Sequence, residues 1–258
     1  MEREIGDSQN EMNNLAFWYP RLVELGIPTP KTVIEELTPE ETRDLVTVFD
    51  GADPPILFEL KRRLLHGAMD LGIRPPYFLR TGYASGKHDW ERTCFVEDAG
   101  RLDFHIVRVA EFNLCAGMLG LPISTWAIRE MITTSPICHC RAYGNMPVTE
   151  EWRIFVRDGV VEHIQPYWPP GAVRKGDPDR DDWEVRLAEI SDALNGSGVL
   201  VLKLTQKIGK AFGGYWSVDW LRNHRPGEVS RPWVCIDMAL GGMSFRWQPG
   251  MEVDVEDL

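Results

Sequence analysis

Apolar residues recur at helical spacing in several segments of the chain. Helices are predicted near residues 15–25, where Gly26 ends the segment, and near 102–118, 182–194 and 198–210. Thr38, Pro39 and Glu41 have the N-cap, N1 and N3 pattern of a helix start, so a further helix is predicted from Thr38. Another helix, over 56–71, has a single apolar stripe made by Leu57, Leu60, Leu64 and Ala68.

Strand spacing accounts for most of the remaining apolar segments. The clearest signal is a hairpin over 151–167, with Asp158 and Gly159 at the turn, because glycine tolerates the positive φ that such turns need. Residues 170–182 are predicted to form an exposed loop. Other strands are predicted at Thr32–Glu36, Tyr77–Thr81, Arg92–Val96, Thr125–Ile132, Tyr215–Leu221 and Trp233–Ala239. The pattern predicts an α+β fold in which antiparallel hairpins predominate.

Composition narrows the class of protein. Apolar residues make up 43% of the 258 residues, enough for a sizeable core, and the net charge of −11 disfavours binding to a nucleic-acid backbone over a broad face. The basic run Lys61–Arg63 is interpreted as the solvated face of a helix. No segment has the length of apolar sequence that a membrane span needs. The polar, acidic start is typical of neither a signal peptide nor a transit peptide.

Cysteine usage indicates reduced thiols and predicts a cytoplasmic protein. The count of five is odd, and export signals are missing from the sequence given. Cys138-His139-Cys140 suggests metal binding at first sight. Neighbouring strand residues point to opposite faces, however, and no second ligand pair accompanies the motif, so a zinc site is not predicted there.

A glycine-bearing loop follows the strand Tyr77–Thr81. The sequence Gly82-Tyr-Ala-Ser-Gly86-Lys87 differs from a P-loop, because the glycines are one residue too close and His88 stands where Ser or Thr binds magnesium. Two interpretations remain open. The loop is either a hairpin that lays backbone N–H groups and Lys87 over a polyphosphate, or an ordinary hairpin tip with a solvated lysine.

The segment Glu151-Trp-Arg153-Ile-Phe155-Val places charges on one face of a strand. Alternation puts Glu151, Arg153 and Phe155 together, and Gln165 on the partner strand is expected to reach the same surface. Charges on an interior strand favour a ligand cleft. The alternative is a cross-strand ion pair on a wet face.

Two predicted strands near the C-terminus each carry one acid in an apolar setting. Asp219 and Asp237 would repel each other on neighbouring strands unless a cation lies between them. Magnesium prefers such sparse carboxylate ligation, completed by water and phosphate oxygens. The alternative is that one of these acids ends its strand and meets solvent. A further apolar strand, Ala127–Ile132, either presents its backbone and Met131 to an adenine ring or is simply core.

Taken in their order along the chain, these four segments (the glycine-bearing loop, the strand Ala127–Ile132, the strand from Glu151 and the two acid-bearing strands) resemble the ATP-grasp superfamily. The resemblance extends over about residues 76–247 and is strongest to the small phage and bacterial members. The segments are also similar to the divergent ATP-grasp chaperones that help to assemble a eukaryotic translation initiation factor. The resemblance implies two α+β lobes with antiparallel sheets that enclose a nucleotide cleft. It further implies a cap formed by residues 1–75, a lid lobe formed by 76–132 and a C-terminal lobe with the metal-binding strands formed by 133–258.

The resemblance also assigns roles to residues. It implies that ATP and Mg²⁺ bind, with Lys87 and Arg153 as catalytic residues and Asp219 and Asp237 as metal ligands. The residues implied to contact the nucleotide are Arg80, Ser85, Gly86, Lys87, Glu130, Met131, Ile132, Glu151 and Arg153. Two positions depart from the family. Arg80 replaces a lysine, and Ala239 replaces an asparagine in the last motif, where alanine provides no metal ligand.

Three functions are compatible with this resemblance. The leading hypothesis is a ligase that activates a carboxylate as an acylphosphate for attack by an amine or another nucleophile, while Lys87, Arg153 and magnesium absorb the charge of the γ-phosphoryl group. The second is an RNA-end ligase that acts through a nucleotidylated intermediate. The third is a nucleotide-binding assembly chaperone without turnover. The acceptor would accordingly be a small molecule, a peptide or RNA.

Overall fold

The computed structural model describes residues 11–116, 120–225 and 232–248. The principal helices are α1 Leu15–Glu24, α2 Pro39–Val46, α3 Pro55–Asp70, α4 Leu102–Cys115, α5 Pro170–Lys175 and α6 Trp183–Phe212. The strands are β1 Thr32–Glu36, β2 Tyr77–Thr81, β3 Phe95–Val96, β4 Thr125–Glu130, β5 Cys138–Cys140, β6 Met146–Val148, β7 Glu151–Arg157, β8 Val160–Pro166, β9 Tyr215–Arg222 and β10 Trp233–Leu240.

The chain divides into two compact units. The N-terminal unit comprises residues 30–131 together with 14–16, and the C-terminal unit comprises residues 132–248 together with 11–13 and 17–29. The division into a cap, a lid lobe and a C-terminal lobe stays a prediction. None of the described helices is both long and apolar enough to cross a membrane.

The N-terminal unit is built on a four-stranded antiparallel sheet in the order β1-β4-β2-β3. Its core lies on one face of this sheet, where Leu79, Trp126 and Ile128 pack against α3 and α4. The predicted apolar stripe of α3 is buried in this core. The predicted capping box of α2 is also confirmed, since Glu41 N donates to Thr38 Oγ1 at 3.2 Å and Thr38 N donates to Glu41 Oε2 at 2.8 Å.

The C-terminal unit contains the second four-stranded antiparallel sheet, in the order β10-β9-β7-β8. Helix α6 packs on the face that carries Val156 and Trp220, where Trp220 Nε1 donates to Thr205 Oγ1 at 2.9 Å. The predicted hairpin between β7 and β8 is confirmed, with φ of 49° at Asp158 and 84° at Gly159. A separate two-stranded sheet pairs β5 with β6.

Several predicted elements differ from the structure. The strand expected over Arg92–Val96 is only Phe95–Val96. The amides of Arg92 and Thr93 donate to Asp89 O, so these two residues belong to a turn and do not extend the strand. The loop predicted over 170–182 begins with helix α5, since Pro170 lies in its first turn and Val173 is buried.

The two helices predicted over 182–194 and 198–210 are one continuous helix, α6. A glycine inside a helix costs only about 1 kcal/mol relative to alanine, which a long packed helix tolerates. Helix α4 ends at Cys115 instead of continuing to 118, and Met118 lies outside the described residues.

Candidate functional site

The glycine-bearing loop of the N-terminal unit has a defined shape. Gly86 adopts a positive φ of 66°, and its carbonyl accepts hydrogen bonds from Thr93 Oγ1 at 2.6 Å and from Asp89 N at 3.0 Å. A Cβ atom at Gly86 would lie 3.0 Å from the ring of Phe112. Glycine is therefore required where the chain turns into Lys87, which starts a short 3-10 helix.

Lys87 and Arg80, two cations predicted to bind the nucleotide, both affect the pKa of the buried Cys94 thiol. Burial raises the pKa of the Cys94 thiol to about 12, while the charges of Lys87 and Arg80 both oppose this rise. Burial, followed by the charge of Lys87, lowers the pKa of the neighbouring His88 to about 4. The imidazole is therefore neutral at pH 7 and leaves Lys87 as the cation of this loop. Ser85 precedes Gly86 and is half-buried.

The sheet face opposite the core of this unit carries two buried arginines. Arg80 is 4% exposed and Arg129 is 3% exposed, and the pairing of Arg80 with Ala127 makes the two arginines diagonal neighbours on β2 and β4. Arg80 Nε donates to Thr81 O, and Arg129 Nε donates to Thr32 Oγ1. Arg129 was not among the site residues predicted from the sequence. The sequence signal for Arg129 is the alternation in β4, which points its side chain to the sheet face away from that of the core residue Ile128.

The segment predicted to contact adenine lies where β4 ends. The strand stops at Glu130, whose amide donates to Lys31 O at 3.0 Å, so the strand predicted to reach Ile132 is two residues too long. The neighbouring strands start opposite this point, β1 after Pro30 and β2 after Pro76, and proline donates no ladder hydrogen bond. Met131 and Ile132 therefore lie in irregular structure past the strand, and both residues are half-buried.

Four polar residues form a row across the second sheet, on the face opposite α6. Gln165 on β8 pairs with Arg153 on β7, Arg153 pairs with Asp219 on β9, and Asp219 pairs with Asp237 on β10. We call these four residues the site row, and this side of the sheet the site face. The predictions that Gln165 reaches the surface of Arg153 and that the two acids lie on neighbouring strands are confirmed. Glu151 is also buried on this face.

Arg153 and Asp219 form a two-pronged ion pair. Arg153 Nε donates to Asp219 Oδ1 at 2.8 Å and Arg153 Nη2 donates to Oδ2 at 2.9 Å, with side chains only 10% and 6% exposed. The guanidinium also lies 4.6 Å from the ring centre of Tyr167. Burial, the largest single effect, lowers the pKa of Arg153, but the charges of Asp219, Tyr167 and Glu151 and the hydrogen bonds to Asp219 together outweigh it, so the pKa is raised. Arg153 therefore stays protonated, and its partner in this buried ion pair is Asp219.

A metal ion at the site row would have few protein ligands. The described residues contain no group of three or more His, Cys, Asp or Glu side chains that could hold a metal. Asp237 is half-buried beside Asp219, and Ala239, two residues further along the same face, lies opposite Ser217 and offers no side-chain ligand. The donor set fits a single magnesium ion held mainly through phosphate and water oxygens, which is how magnesium binds in many nucleotide sites.

Comparison with known proteins supports the fold. No family model matches the chain, and the search of curated protein sequences gave no match. Among solved structures, Cdc123 from Schizosaccharomyces pombe matches with a TM-score of 0.52 and 11% identity, covering 90% of this chain and 85% of that one. Its C-terminally truncated form matches similarly, with a TM-score of 0.51.

Two longer proteins match less well. A RimK domain ATP-grasp protein from Sphaerobacter thermophilus has a TM-score of 0.41 and 12% identity, with 89% of this chain and 58% of that one covered. Biotin carboxylase from Campylobacter jejuni has a TM-score of 0.48 and 12% identity, with 93% and 42% covered. This chain therefore spans little more than half of the first protein and less than half of the second. At these scores the two matches add no separate argument.

The order of the predicted segments, the two antiparallel sheets and the likeness to Cdc123 agree with one another. Sequence identities of 11–12% carry no information about activity. The likeness to Cdc123 nevertheless extends along nine-tenths of this chain, so it concerns the whole fold. The chain has the ATP-grasp fold.

Proposed function

We propose that this protein binds ATP with magnesium and uses it as a ligase, activating a carboxylate as an acylphosphate for attack by a nucleophile. The observation that supports the proposal is the site row, in which Arg153, Asp219 and Asp237 lie in register on one face of a sheet. Carboxylates can ligate magnesium, and a guanidinium can add positive charge beside the phosphates, so the row suits a magnesium–phosphate complex. The cytoplasmic location stays a prediction.

In this proposal, Asp237 holds the magnesium ion, and Asp219 contributes a carboxylate oxygen while it remains paired with Arg153. Lys87, with the backbone of Ser85 and Gly86, contacts the phosphates, and Arg80 adds a further cation. The backbone of Glu130–Ile132 contacts adenine. Magnesium, when bound, neutralises phosphate charge as the γ-phosphoryl group transfers. Arg153 orients Asp219 and adds positive potential to the site face, and Glu151 faces the same surface.

Turnover by the Lys87→Ala variant tests the proposal. Because Lys87 is assigned to the phosphates, we expect the variant to lose about 100-fold or more of the ADP release that the wild-type protein shows with Mg²⁺, ATP and a panel of carboxylate acceptors. Lys203→Ala, an exposed lysine on α6, is the matched control and should retain wild-type turnover. Unchanged turnover in Lys87→Ala, or no ATP binding by the wild-type protein, would contradict the proposal.

A second candidate is a nucleotide-binding assembly factor without turnover. It is favoured by the Arg153–Asp219 pair, which occupies both oxygens of one predicted metal ligand, and by Ala239, which supplies none. ATP binding by calorimetry without ADP release for any acceptor would favour this candidate. A lysyl-AMP adduct, detected by mass spectrometry after incubation with ATP, would instead indicate RNA-end ligation.

A further inference from the structure

A short segment after β10 crosses the site face of the C-terminal sheet. Residues 244–247, here called the crossing segment, run from β9 to β8 over the site row. The hydroxyl of Ser244 is hydrogen-bonded to that of Ser217 on β9. At the other end, Trp247 Nε1 donates to Pro166 O at 2.9 Å. These contacts fix the path of the segment over the sheet.

The middle of the crossing segment is bonded to the site row itself. Phe245 O accepts hydrogen bonds from Gln165 Nε2 at 3.2 Å and from Arg153 Nη1 at 3.4 Å. Trp247 N donates to Gln165 Oε1 at 3.1 Å. The residue between them, Arg246, therefore has its backbone held on both sides directly above the row.

The side chain of Arg246 lies over the same face. Its guanidinium carbon is 5.9 Å from the ring centre of Phe155, which is fully buried two residues after Arg153 on β7. The residue is exposed, and it has no ion pair with a carboxylate within the described ranges. Burial first, and then the charge of Arg246, lowers the pKa of His163, which pairs with Phe155 across the sheet. Arg246 is thus a cation available to a ligand at the site face.

Arg153 is much less available than Arg246. Its Nε and Nη2 groups donate to Asp219, its Nη1 group donates to Phe245 O, and its planar face lies on Tyr167. A phosphate would have to displace an internal acceptor to reach it. A guanidinium presents a planar fork of donors that matches phosphate oxygens, and Arg246 can provide that fork without breaking an internal ion pair.

We propose that Arg246 binds the terminal phosphate group of the nucleotide, in the role that the family resemblance implies for Arg153. This inference rests on the proposed binding of ATP. A carboxylate of the acceptor has the same bidentate chemistry, but the phosphate is favoured because Asp219 and Asp237, the predicted magnesium ligands, lie on the same face.

The test compares a triphosphate with a diphosphate. Isothermal titration calorimetry with the magnesium complexes of β,γ-imido-ATP and ADP is performed on the full chain and on Arg246→Gln. We expect the variant to bind the ATP analogue about 10- to 100-fold more weakly, the range for one charge-assisted contact, and to bind ADP within twofold of wild type. Arg246→Lys keeps the charge without the fork and should be intermediate.

Arg21→Gln is the matched control. Arg21 is also exposed and lies over an aromatic ring, 3.9 Å from the centre of Phe17, but it is on helix α1. It should leave both affinities unchanged. If Arg246→Gln weakens the two nucleotides equally, or neither, Arg246 does not bind the terminal phosphate and the inference fails while ATP binding stands. If the wild-type protein binds neither nucleotide, the proposed function fails and this inference falls with it.

Discussion

Asp219 is the residue whose surroundings change its expected role most. Its two oxygens accept the two short hydrogen bonds from Arg153, so its charge is already compensated in the absence of a metal. Strand alternation was sufficient to place both residues on one face. It did not identify them as partners, because the register of β7 against β9 depends on the intervening chain, residues 158–214, which the local pattern does not describe.

Asp219→Asn tests how much this pair contributes to stability. The amide is nearly the same size but leaves Arg153 as a buried, uncompensated charge, and removing one partner of such a pair costs about 3–5 kcal/mol. We expect a drop of that size in the free energy of unfolding, measured by urea denaturation of the full chain. Asp237→Asn is the control. Its half-buried carboxylate should cost less than about 1 kcal/mol, so equal losses in the two variants would argue against a special role for the pair.

Arg129 and Arg246 show what a local sequence pattern can and cannot predict about the site. Arg129 was available from the alternation of β4 but was grouped with an apolar strand. Arg246 could not be predicted, since it follows β10 in a segment without periodicity, and the hydrogen bonds of Ser244, Phe245 and Trp247 bring it over the sheet. Irregular segments take their position from tertiary contacts, which no local pattern encodes.

At the level of elements, helix starts and hairpins were predicted well because their signals are local. The capping box at Thr38 and the turn at Asp158 and Gly159 each lie within four residues and were confirmed. Helix α5 was missed because its six residues contain two glycine or proline positions and are held by burial, including the Tyr143 hydroxyl that donates to Ala172 O. The continuity of α6 likewise depends on packing against the sheet.

Gly209 shows how closely α6 approaches that sheet. A Cβ atom there would lie 2.5 Å from Val156 Cγ2 and 2.8 Å from the backbone nitrogen of Gly159 in the hairpin turn. Alanine favours helix by about 1 kcal/mol over glycine, but an overpacked backbone contact costs about 1–3 kcal/mol. We therefore expect Gly209→Ala to lower the free energy of unfolding, measured by chemical denaturation.

Gly242→Ala is the matched control for that substitution. A Cβ atom at Gly242 would meet nothing within 4 Å, and the φ of this glycine is not positive, so its replacement should be neutral or slightly stabilising. An increase in stability for Gly209→Ala would mean that helix propensity outweighs the contact, and that α6 moves away from the turn at little cost.

For the whole molecule, composition correctly indicated a large core. Nine of the ten tryptophans are buried and so form part of the core. The ATP-grasp fold followed from the order of four weak segments, none of which was sufficient by itself. The acceptor was not predictable, because an acceptor is recognised by the shape and chemistry of a particular pocket, which these segments do not describe.

Stability of the molecule in acid depends on His88. The unfolded chain takes up this proton near pH 6.5, whereas the folded protein does so only near pH 4, so protonation favours unfolding between these values. The contribution of neutral His88 to the free energy of unfolding is at most about 3 kcal/mol. It is complete above pH 6.5 and is lost as the pH falls to about 4. We expect His88→Gln to reduce the loss of unfolding free energy between pH 7 and pH 4.5, measured by urea denaturation at each pH.

His66→Gln controls for the removal of an imidazole. His66 is an exposed residue of α3 beside Asp70, and its variant should show the same decline as the wild-type protein. Parallel curves for the wild-type protein and His88→Gln would mean that His88 is protonated alike in the folded and unfolded chains, and that its burial does not govern stability in acid.

The buried pairing of Arg153 with Asp219 also constrains how this site changes during evolution. A lineage that loses either charge alone passes through a form with an isolated ion inside the sheet, which selection removes. Positions 153 and 219 should therefore covary in diverging homologues, exchanging together for an uncharged pair or not at all. Position 237, which is half-buried, is free to drift whenever metal binding is no longer selected. A lineage that abandons catalysis would thus show the change first at Asp237.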